Sequence, residues 1–284
     1  MHTVGRTSLV NEQFKQPWAE QAVLYVISRQ NYDGGYTFYQ GAESCGQYTY
    51  YGLAILDILH VPFPNIRKTV KWLNSFSPSN IYSLYYVTKG LELCKQGKAK
   101  SFKEPSLAIP SALTRSEEVE TYMASIFGLE SIFLVTELIN MTGIRINCDK
   151  VARSLLNFQN GDGGFGVRGH SNLESTYYAI SSLTNLGYKV KFRDRLLEYV
   201  RSCEKPSGGF TVLPENTRPY LEYTYFGMLT LDQLGERAKN PDNVIRFVLE
   251  CQNLDGGFAR SSLGMSMFEN VFYAVKIIEK VGRL

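Results

Sequence analysis

One heptapeptide pattern constrains this chain of 284 residues more than any other feature. The pattern is Gln-Asn-x-Asp-Gly-Gly followed by an aromatic residue, and it occupies residues 30–36, 159–165 and 252–258. A divergent copy occupies residues 204–210, so that the last three copies begin 45 and 48 residues apart. Self-similarity at such a period indicates a repeat architecture. The interval accommodates two helices and the loop between them.

A first helix is predicted before the glycines of each repeat, because apolar residues recur there at helical spacing. The Gly-Gly pair ends this helix, since glycine adopts a positive φ without steric cost and lets the chain reverse tightly. The Asp before the glycines is expected to bond backbone N–H groups of the turn. The predicted first helices are Trp18–Arg29, Ile66–Phe76, Asp149–Phe158, Phe192–Cys203 and Asn243–Cys251.

A second helix is predicted after each loop, and it begins with a polar or acidic residue followed by aromatic residues. Glu174-Ser-Thr-Tyr-Tyr-Ala, for example, matches Glu222-Tyr-Thr-Tyr-Phe-Gly. Six hairpins of constant period form an open solenoid or a closed ring. We expect an all-α, α6/α6 toroid built from a single domain of residues 1–284, with the second helices inside. The predicted second helices begin at Gln47, Tyr82, Glu120, Glu174, Glu222 and Glu269.

The composition narrows the classes of function. The 19 tyrosines and 16 phenylalanines suit a packed interior or a cavity that holds an apolar or cationic guest. A net charge of +3 is too small to indicate nucleic-acid binding. Five scattered cysteines without a paired motif indicate reduced thiols and a cytoplasmic protein. No apolar run is long enough to span a bilayer, and the first residues lack a signal-peptide pattern.

The Gly-Gly-Phe repeats and the tyrosine-rich second helices resemble the prenyltransferase repeat. That repeat builds the β subunits of protein farnesyl- and geranylgeranyltransferases, and a related one builds the triterpene cyclases. Residues 43–54 look especially like a second helix of those β subunits, and the resemblance extends from about Trp18 to the end of the chain. It implies a toroid whose aromatic cavity holds an isoprenoid, and it raises the prospect of a helical partner subunit.

The resemblance also implies catalytic groups that this chain does not match. Family β subunits hold zinc with an Asp-x-Cys pair and a distant His, but Thr176 and Asn270 stand at the Cys and His positions here. A hydroxyl does not replace a thiolate on zinc, so zinc is not supported. The DxDD motif of triterpene and class II diterpene cyclases is missing from the sequence, and the nearest acidic cluster is Glu117-Glu118-Val119-Glu120.

Other family positions are matched and predict how a ligand is held. Arg168 lies three residues after Phe165, where the family places an arginine that contacts the diphosphate. Its guanidinium suits phosphate oxygens. The predicted head-group residues are Arg168, His170 and Tyr177, and the predicted hydrocarbon wall is Tyr48, Tyr51, Tyr178, Tyr225, Phe226, Phe272 and Tyr273.

A ring of carboxylates is the prediction that comes from the repeats themselves. Equivalent positions place Glu120, Glu174, Glu222 and Glu269 at one height around one mouth of the ring. Four facing carboxylates repel one another unless they are protonated, paired or bridged by a cation such as Mg²⁺. Capping of helix N-termini explains the same residues structurally, and paired carboxylates of the glycosidase type are another use of such a mouth.

Three hypotheses of function follow. The first is a prenyltransferase-like or terpene-cyclase-like protein that binds an isoprenoid diphosphate or another apolar small molecule. The second is a non-catalytic toroid that binds a lipid or a protein partner, which the unmatched zinc positions and the missing DxDD motif favour. The third is a carbohydrate-active α6/α6 barrel, and the Gly-Gly-Phe repeat argues against it.

Overall fold

The computed structural model describes residues 16–96, 128–142, 147–188, 190 and 192–282. Within these ranges the chain forms eleven helices and no strand beyond isolated bridges. The helices are α1 (Pro17–Ile27), α2 (Gly46–Ile58), α3 (Ile66–Ser75), α4 (Ile81–Gln96), α5 (Leu129–Thr142), α6 (Cys148–Leu156), α7 (Leu173–Asn185), α8 (Arg193–Cys203), α9 (Leu221–Gln233), α10 (Pro241–Glu250) and α11 (Phe268–Val281).

The heptapeptide forms a hydrogen-bonded turn at the end of an outer helix. Asp162 accepts hydrogen bonds from the Gly164 N–H at 3.0 Å and from the Ser171 hydroxyl at 2.7 Å. The aromatic residue, Phe165, is fully buried, and its N–H donates to the Thr176 hydroxyl at 3.0 Å. Both aspartate bonds recur in the copies at 30–36 and 252–258. The copy at 30–36 also has the bond from the aromatic N–H to a threonine hydroxyl. The predicted role of the Asp in the turn is therefore confirmed.

The same turns connect each repeat to the next and close the ring. The Gln30 side-chain amide donates to the Pro64 carbonyl at 2.8 Å, just before the second outer helix. In the last copy, the Gln252 amide makes the equivalent bond to the Trp18 carbonyl at 2.9 Å, within the first outer helix. Because the last repeat contacts the first in the way that neighbouring repeats contact each other, the array is closed.

Two concentric layers result. The inner helices α2, α4, α5, α7, α9 and α11 each contact the next, and α11 returns to α2. The outer helices α1, α3, α6, α8 and α10 each pack on the inner helix that follows them in the chain. The predicted α6/α6 toroid, with second helices inside, is confirmed. The outer helix of the third repeat would lie between α4 and α5, and residues 97–127 of that segment fall outside the described residues.

The third repeat has a different register from the predicted one. Glu120 lies outside the described residues, and the inner helix of this repeat, α5, begins at Leu129. Glu130 holds the position equivalent to Glu174, which follows 44 residues later, close to the period of the other repeats. The Tyr82 hydroxyl donates to the Glu130 carboxylate at 3.1 Å, which joins the starts of neighbouring inner helices. Glu130 therefore replaces Glu120 in the predicted ring of carboxylates.

Among the described helices, none has both the length and the apolar character needed to cross a membrane.

Candidate functional site

The starts of the inner helices surround a cavity of about 420 Å³ at one end of the ring. We call its rim the acidic mouth, defined by Gln47, Glu130, Glu174, Glu222 and Glu269. Each of these residues begins an inner helix at the same level, so the repeat brings five polar side chains to one opening. The predicted carboxylate ring thus exists in the structure, with Glu130 as its fourth member.

Aromatic side chains form the floor of this cavity. Each inner helix contributes one residue, which lies three positions after its mouth residue or, in α4, after Tyr82, because side chains three apart lie on the same helical face. These six residues also line a second cavity, of about 410 Å³, at the opposite end of the ring. We call them the aromatic septum, since they lie between the two cavities: Tyr50, Tyr85, Phe133, Tyr177, Tyr225 and Phe272.

A second aromatic layer covers the septum on the side of the acidic mouth. It contains Tyr51, Tyr86, Tyr178, Phe226 and Tyr273, with Leu134 in the remaining position. The layers are tightly packed: Tyr177 stacks on Phe226 with 4.9 Å between ring centroids, and Tyr225 stacks on Tyr273 at 4.5 Å. Burial raises the pKa of Tyr86 and of Tyr177 to about 12. These phenols therefore stay neutral at physiological pH.

The mouth carries more negative charge than its described neighbours balance. Arg260 pairs with Glu222 at 2.5 Å, and its guanidinium lies 4.1 Å from the centroid of the Tyr220 ring. Among the described residues that line the cavity, Arg260 is the one Lys or Arg against four carboxylates. Burial, reinforced by the charges of Glu222 and Glu130, raises the pKa of Glu269 above its usual range.

Glu174 and Glu222 are perturbed in the same direction. Burial raises the pKa of the Glu174 carboxyl, and the neighbouring Glu130 and Glu222 charges add to the effect. Burial also raises the pKa of Glu222, although Arg260 acts in the opposite direction. One oxygen of Glu222, Oε2, is buried and has no hydrogen-bond partner in the described part of the chain. A mouth of this kind favours ligands that bring positive charge or hydrogen-bond donors.

Most of the predicted cavity residues face the cavity. Of the predicted head-group and wall residues, Tyr51, Tyr177, Tyr178, Tyr225, Phe226, Phe272 and Tyr273 line it. Tyr48 does not: its ring packs between Phe38 and Phe268, at 6.0 and 5.8 Å between centroids. It follows Gln47 directly on α2, and neighbouring residues on a helix point to different faces.

Arg168 and His170 also lie away from the cavity. Both are exposed, and neither is among the residues that line it. The His170 N–H donates to the Val167 carbonyl at 3.1 Å, which closes a turn with Arg168 near its tip at a φ of 54°. This turn projects Arg168 and His170 into solvent, whereas residue-by-residue matching to the family had placed Arg168 at the ligand.

The structure adds cavity residues that the sequence interpretation did not assign. Arg260 comes from the loop after the last Gly-Gly-Phe, two residues beyond the aromatic position, where no pattern marked it. Tyr50 and Tyr85 occupy the same helical position as Tyr177, so a stricter alignment of the six inner helices would have found them. Asn270, noted earlier only in relation to zinc, lines the cavity beside Glu269.

The metal positions of the family are occupied by scaffold or neutral groups. The Thr176 hydroxyl accepts the Phe165 N–H and donates to the Asn172 carbonyl at 2.7 Å, so it helps to hold the turn. Within the described ranges, no group of three or more His, Cys, Asp or Glu side chains is placed to hold a metal ion. The donor set at these positions does not fit zinc, which binds Cys, His and carboxylate ligands.

Comparisons with known proteins agree with this architecture. Among solved structures, the chain is similar to the Candida albicans protein geranylgeranyltransferase-I complexed with GGPP, with a TM-score of 0.64 and 15% identity over 81% of this chain and 82% of that chain. It is also similar to the type II terpene cyclase MstE from Scytonema, with a TM-score of 0.60 and 11% identity over 94% of this chain and 98% of that chain. Identities this low show a shared fold and no more.

The sequence comparisons point the same way. No curated protein sequence matches the chain significantly. The model of the prenyltransferase alpha-alpha toroid domain matches residues 3–80 and 84–282, which is nearly the whole chain. With the closed double ring and its aromatic cavity, this match shows that the chain belongs to the prenyltransferase alpha-alpha toroid family.

Proposed function

We propose that this toroid binds an isoprenoid diphosphate, with the prenyl chain against the aromatic layers and the diphosphate at the acidic mouth as a magnesium complex. The observation that carries the proposal is one cavity with an aromatic floor and an oxygen-rich rim. Its volume of about 420 Å³ lies within the usual range of small-molecule sites. The solved geranylgeranyltransferase of similar fold is complexed with GGPP, which supports the class of ligand.

The hydrocarbon part of the ligand suits the floor of the cavity. The exposed sides of Tyr51, Tyr178 and Phe226 border the cavity, and each is mostly buried by its neighbours. Burying a prenyl chain on such faces is favourable by roughly 25 cal/mol per Å² of apolar surface removed from water. The same faces would stabilise positive charge that develops on a prenyl carbon.

The head group needs a cation at this mouth. A diphosphate is negatively charged and has only acceptor oxygens, so the four carboxylates of the mouth would repel it unless a cation lies between them. Mg²⁺ is commonly bound by one or two carboxylates together with substrate phosphates. Glu174 and Glu269 make no hydrogen bond or ion pair with any described residue, and so they are available as ligands. Arg260 supplies guanidinium donors at the same rim and takes the head-group role in the proposal that Arg168 had in the prediction.

A toroid that binds its ligand without a chemical step is the second candidate. Thr176 and Asn270 favour it, because neither residue supplies the thiolate or imidazole of the zinc enzymes. The two candidates differ in one measurement. After incubation of the protein with a prenyl diphosphate and Mg²⁺, mass spectrometry and NMR of the recovered isoprenoid show the alcohol and free diphosphate if water accepts the prenyl group, or an isomeric cyclic diphosphate if the chain cyclises, and they show only the starting diphosphate if the toroid binds without a chemical step.

Thermal unfolding with farnesyl or geranylgeranyl diphosphate, each with and without Mg²⁺, tests the binding itself. We expect stabilisation that requires Mg²⁺ and approaches about 2.7 kcal/mol at one hundred times the Kd. Arg260→Ala should weaken this stabilisation. Arg168→Ala is the matched control, an exposed arginine outside the cavity, and it should leave the stabilisation unchanged. No shift with either diphosphate in the presence of Mg²⁺ would overturn the proposal.

A further inference from the structure

The acidic mouth contains several acceptor atoms that lack donors among the residues described by the structure. Glu174 and Glu269 have no hydrogen-bond or ion-pair partner among the residues that the structure describes. Glu222 uses one oxygen for Arg260, while its other oxygen is buried and unpaired within the same residues. Desolvated acceptors without donors are unfavourable, so a ligand that supplies donors is stabilised there.

Asn270 is an independent indication that something binds at this point. The residue is only 5% exposed, yet it borders the cavity next to Glu269. Its amide forms no hydrogen bond to any residue in the described ranges. Most buried side-chain polar groups in folded proteins have a partner. A buried amide that faces a cavity without one is positioned to accept a bond from a ligand through Oδ1.

The geometry distinguishes a nitrogen cation from a bare metal ion. Mg²⁺ requires oxygens at about 2.0–2.1 Å in near-octahedral order. The described part of the chain offers no set of three or more side chains arranged for a metal. A charged N–H group bonds carboxylate oxygens at about 2.7–2.9 Å, so its acceptors can lie farther apart. An ammonium also presents three donors, which can reach acceptors on different inner helices.

The walls of the cavity select what the ammonium is attached to. Tyr51 and Tyr273 line the cavity below Glu269, and their aromatic faces attract a cation. Below them the septum presents Phe272 and other rings, which favour an apolar chain. The lining of the cavity therefore changes from carboxylates and an amide at the rim to aromatic rings at the floor.

We propose that the acidic mouth binds a primary ammonium group on an apolar chain without a metal ion, with Glu222, Glu269 and Asn270 accepting its hydrogen bonds. This proposal goes beyond the binding of a prenyl diphosphate and does not require it. The ammonium fills the place that the magnesium–diphosphate complex would take, so the two ligands exclude each other.

Isothermal titration of the metal-free protein with n-hexylammonium, in EDTA at neutral pH, tests the proposal. Two further ligands separate the contributions of charge and hydrogen bonding. Hexan-1-ol keeps the chain without the charge, and hexyltrimethylammonium keeps the charge without N–H donors. We expect both to bind at least tenfold more weakly than n-hexylammonium. Equal affinity for hexan-1-ol, or no binding of n-hexylammonium at millimolar concentrations, would refute the proposal.

Variants locate the site within the molecule. Glu269→Gln should weaken n-hexylammonium binding at least tenfold, and Asn270→Leu, which keeps the branching at Cγ and removes the amide, at least threefold. Glu92→Gln is the matched control, because Glu92 is a carboxylate without a described partner that lines the opposite cavity. It should leave the affinity unchanged. Unaltered binding by Glu269→Gln, or equal losses in Glu269→Gln and Glu92→Gln, would contradict the assignment. Because no diphosphate is present, these results are independent of the prenyl-diphosphate experiment.

Discussion

The packing contact between two neighbouring repeats depends on a glycine, because the next repeat leaves no room for a side chain at that position. Gly163 has a φ of +90° in the turn of the second complete heptapeptide. A Cβ there would lie 2.5 Å from the carbonyl carbon of Arg195 and 2.5 Å from the nitrogen of Leu196. Both atoms belong to the backbone of α8, the outer helix of the next repeat, so a flexible side chain cannot relieve the overlap. Gly163→Ala should therefore force two repeats apart.

Two costs add up in this variant. An L-residue in the left-handed region costs about 1–2 kcal/mol. Overpacking of a close contact typically costs about 1–3 kcal/mol more. We expect Gly163→Ala to lower the free energy of unfolding by about 2–5 kcal/mol in total. Gly169 has a φ of +78° and nothing within 4 Å of its Cβ position, so Gly169→Ala carries only the first cost.

Urea denaturation of the two variants and the parent protein measures the difference. The midpoint and slope give the free energy of unfolding if the slope is unchanged. The contribution of the contact between repeats is the loss of unfolding free energy in Gly163→Ala minus the loss in Gly169→Ala. Equal losses in the two variants would refute the reasoning, because they would show that backbone conformation alone accounts for the glycine.

Two further predictions concern titratable groups. Burial and the neighbouring carboxylates raise the pKa of Glu174 above its unfolded value, so the free energy of unfolding falls as pH rises from about 4 through that raised pKa. Glu174→Gln should be more stable than the parent at pH 7 and should lose this advantage below pH ~4, where both forms are uncharged; a constant difference in Tm across that range would contradict it. Burial also raises the pKa of Cys94 and Cys251 to about 12, whereas Cys45 and Cys148 are partly exposed. A thiol-reactive probe should therefore label Cys45 and Cys148 rapidly in the native protein and should label the buried thiols only on unfolding. Mass spectrometry of timed samples measures the labelling of each cysteine.

The aromatic septum limits what the proposed ligands can do. A ligand that enters through the acidic mouth meets Tyr50, Tyr177 and Phe272, and each of these residues is more than nine-tenths buried. The opposite cavity begins on their far side and carries its own charged groups, including the Lys89–Glu137 pair at 3.2 Å. A prenyl chain longer than the first cavity would have to displace these rings, so the septum would determine the chain length that is accepted.

The sequence was sufficient for the scaffold because the scaffold is determined locally. The motif residues bond within their own turn, as Asp162 does with Gly164 and Ser171, and the aromatic that follows is buried in every described copy. Period, helix pairs and the inner position of the second helices all follow from these short-range interactions. The common height of Glu174, Glu222 and Glu269 along the axis of the ring also follows from the repeat, since equal spacing puts equivalent residues at equal height.

The sequence was not sufficient where the repeat is irregular. The third repeat departs from the period, and its long connection led the prediction to Glu120, whereas Glu130 begins the inner helix. The loops after the glycines differ in length, so the direction of each side chain depends on how its loop folds. A turn places Arg168 in solvent, and a different loop brings Arg260 to the mouth.

The sequence by itself determined the helical hairpins and the common height of Glu174, Glu222 and Glu269, because turns and helical faces repeat over short distances. Only the tertiary structure decided which cation faces those carboxylates, that the amide of Asn270 borders the cavity without a described partner, and that a septum divides the interior. These features depend on contacts between residues far apart in the chain, such as Arg260 with Glu222. Burial and distance across a closed ring exist only after the last repeat has met the first, and no local pattern records them.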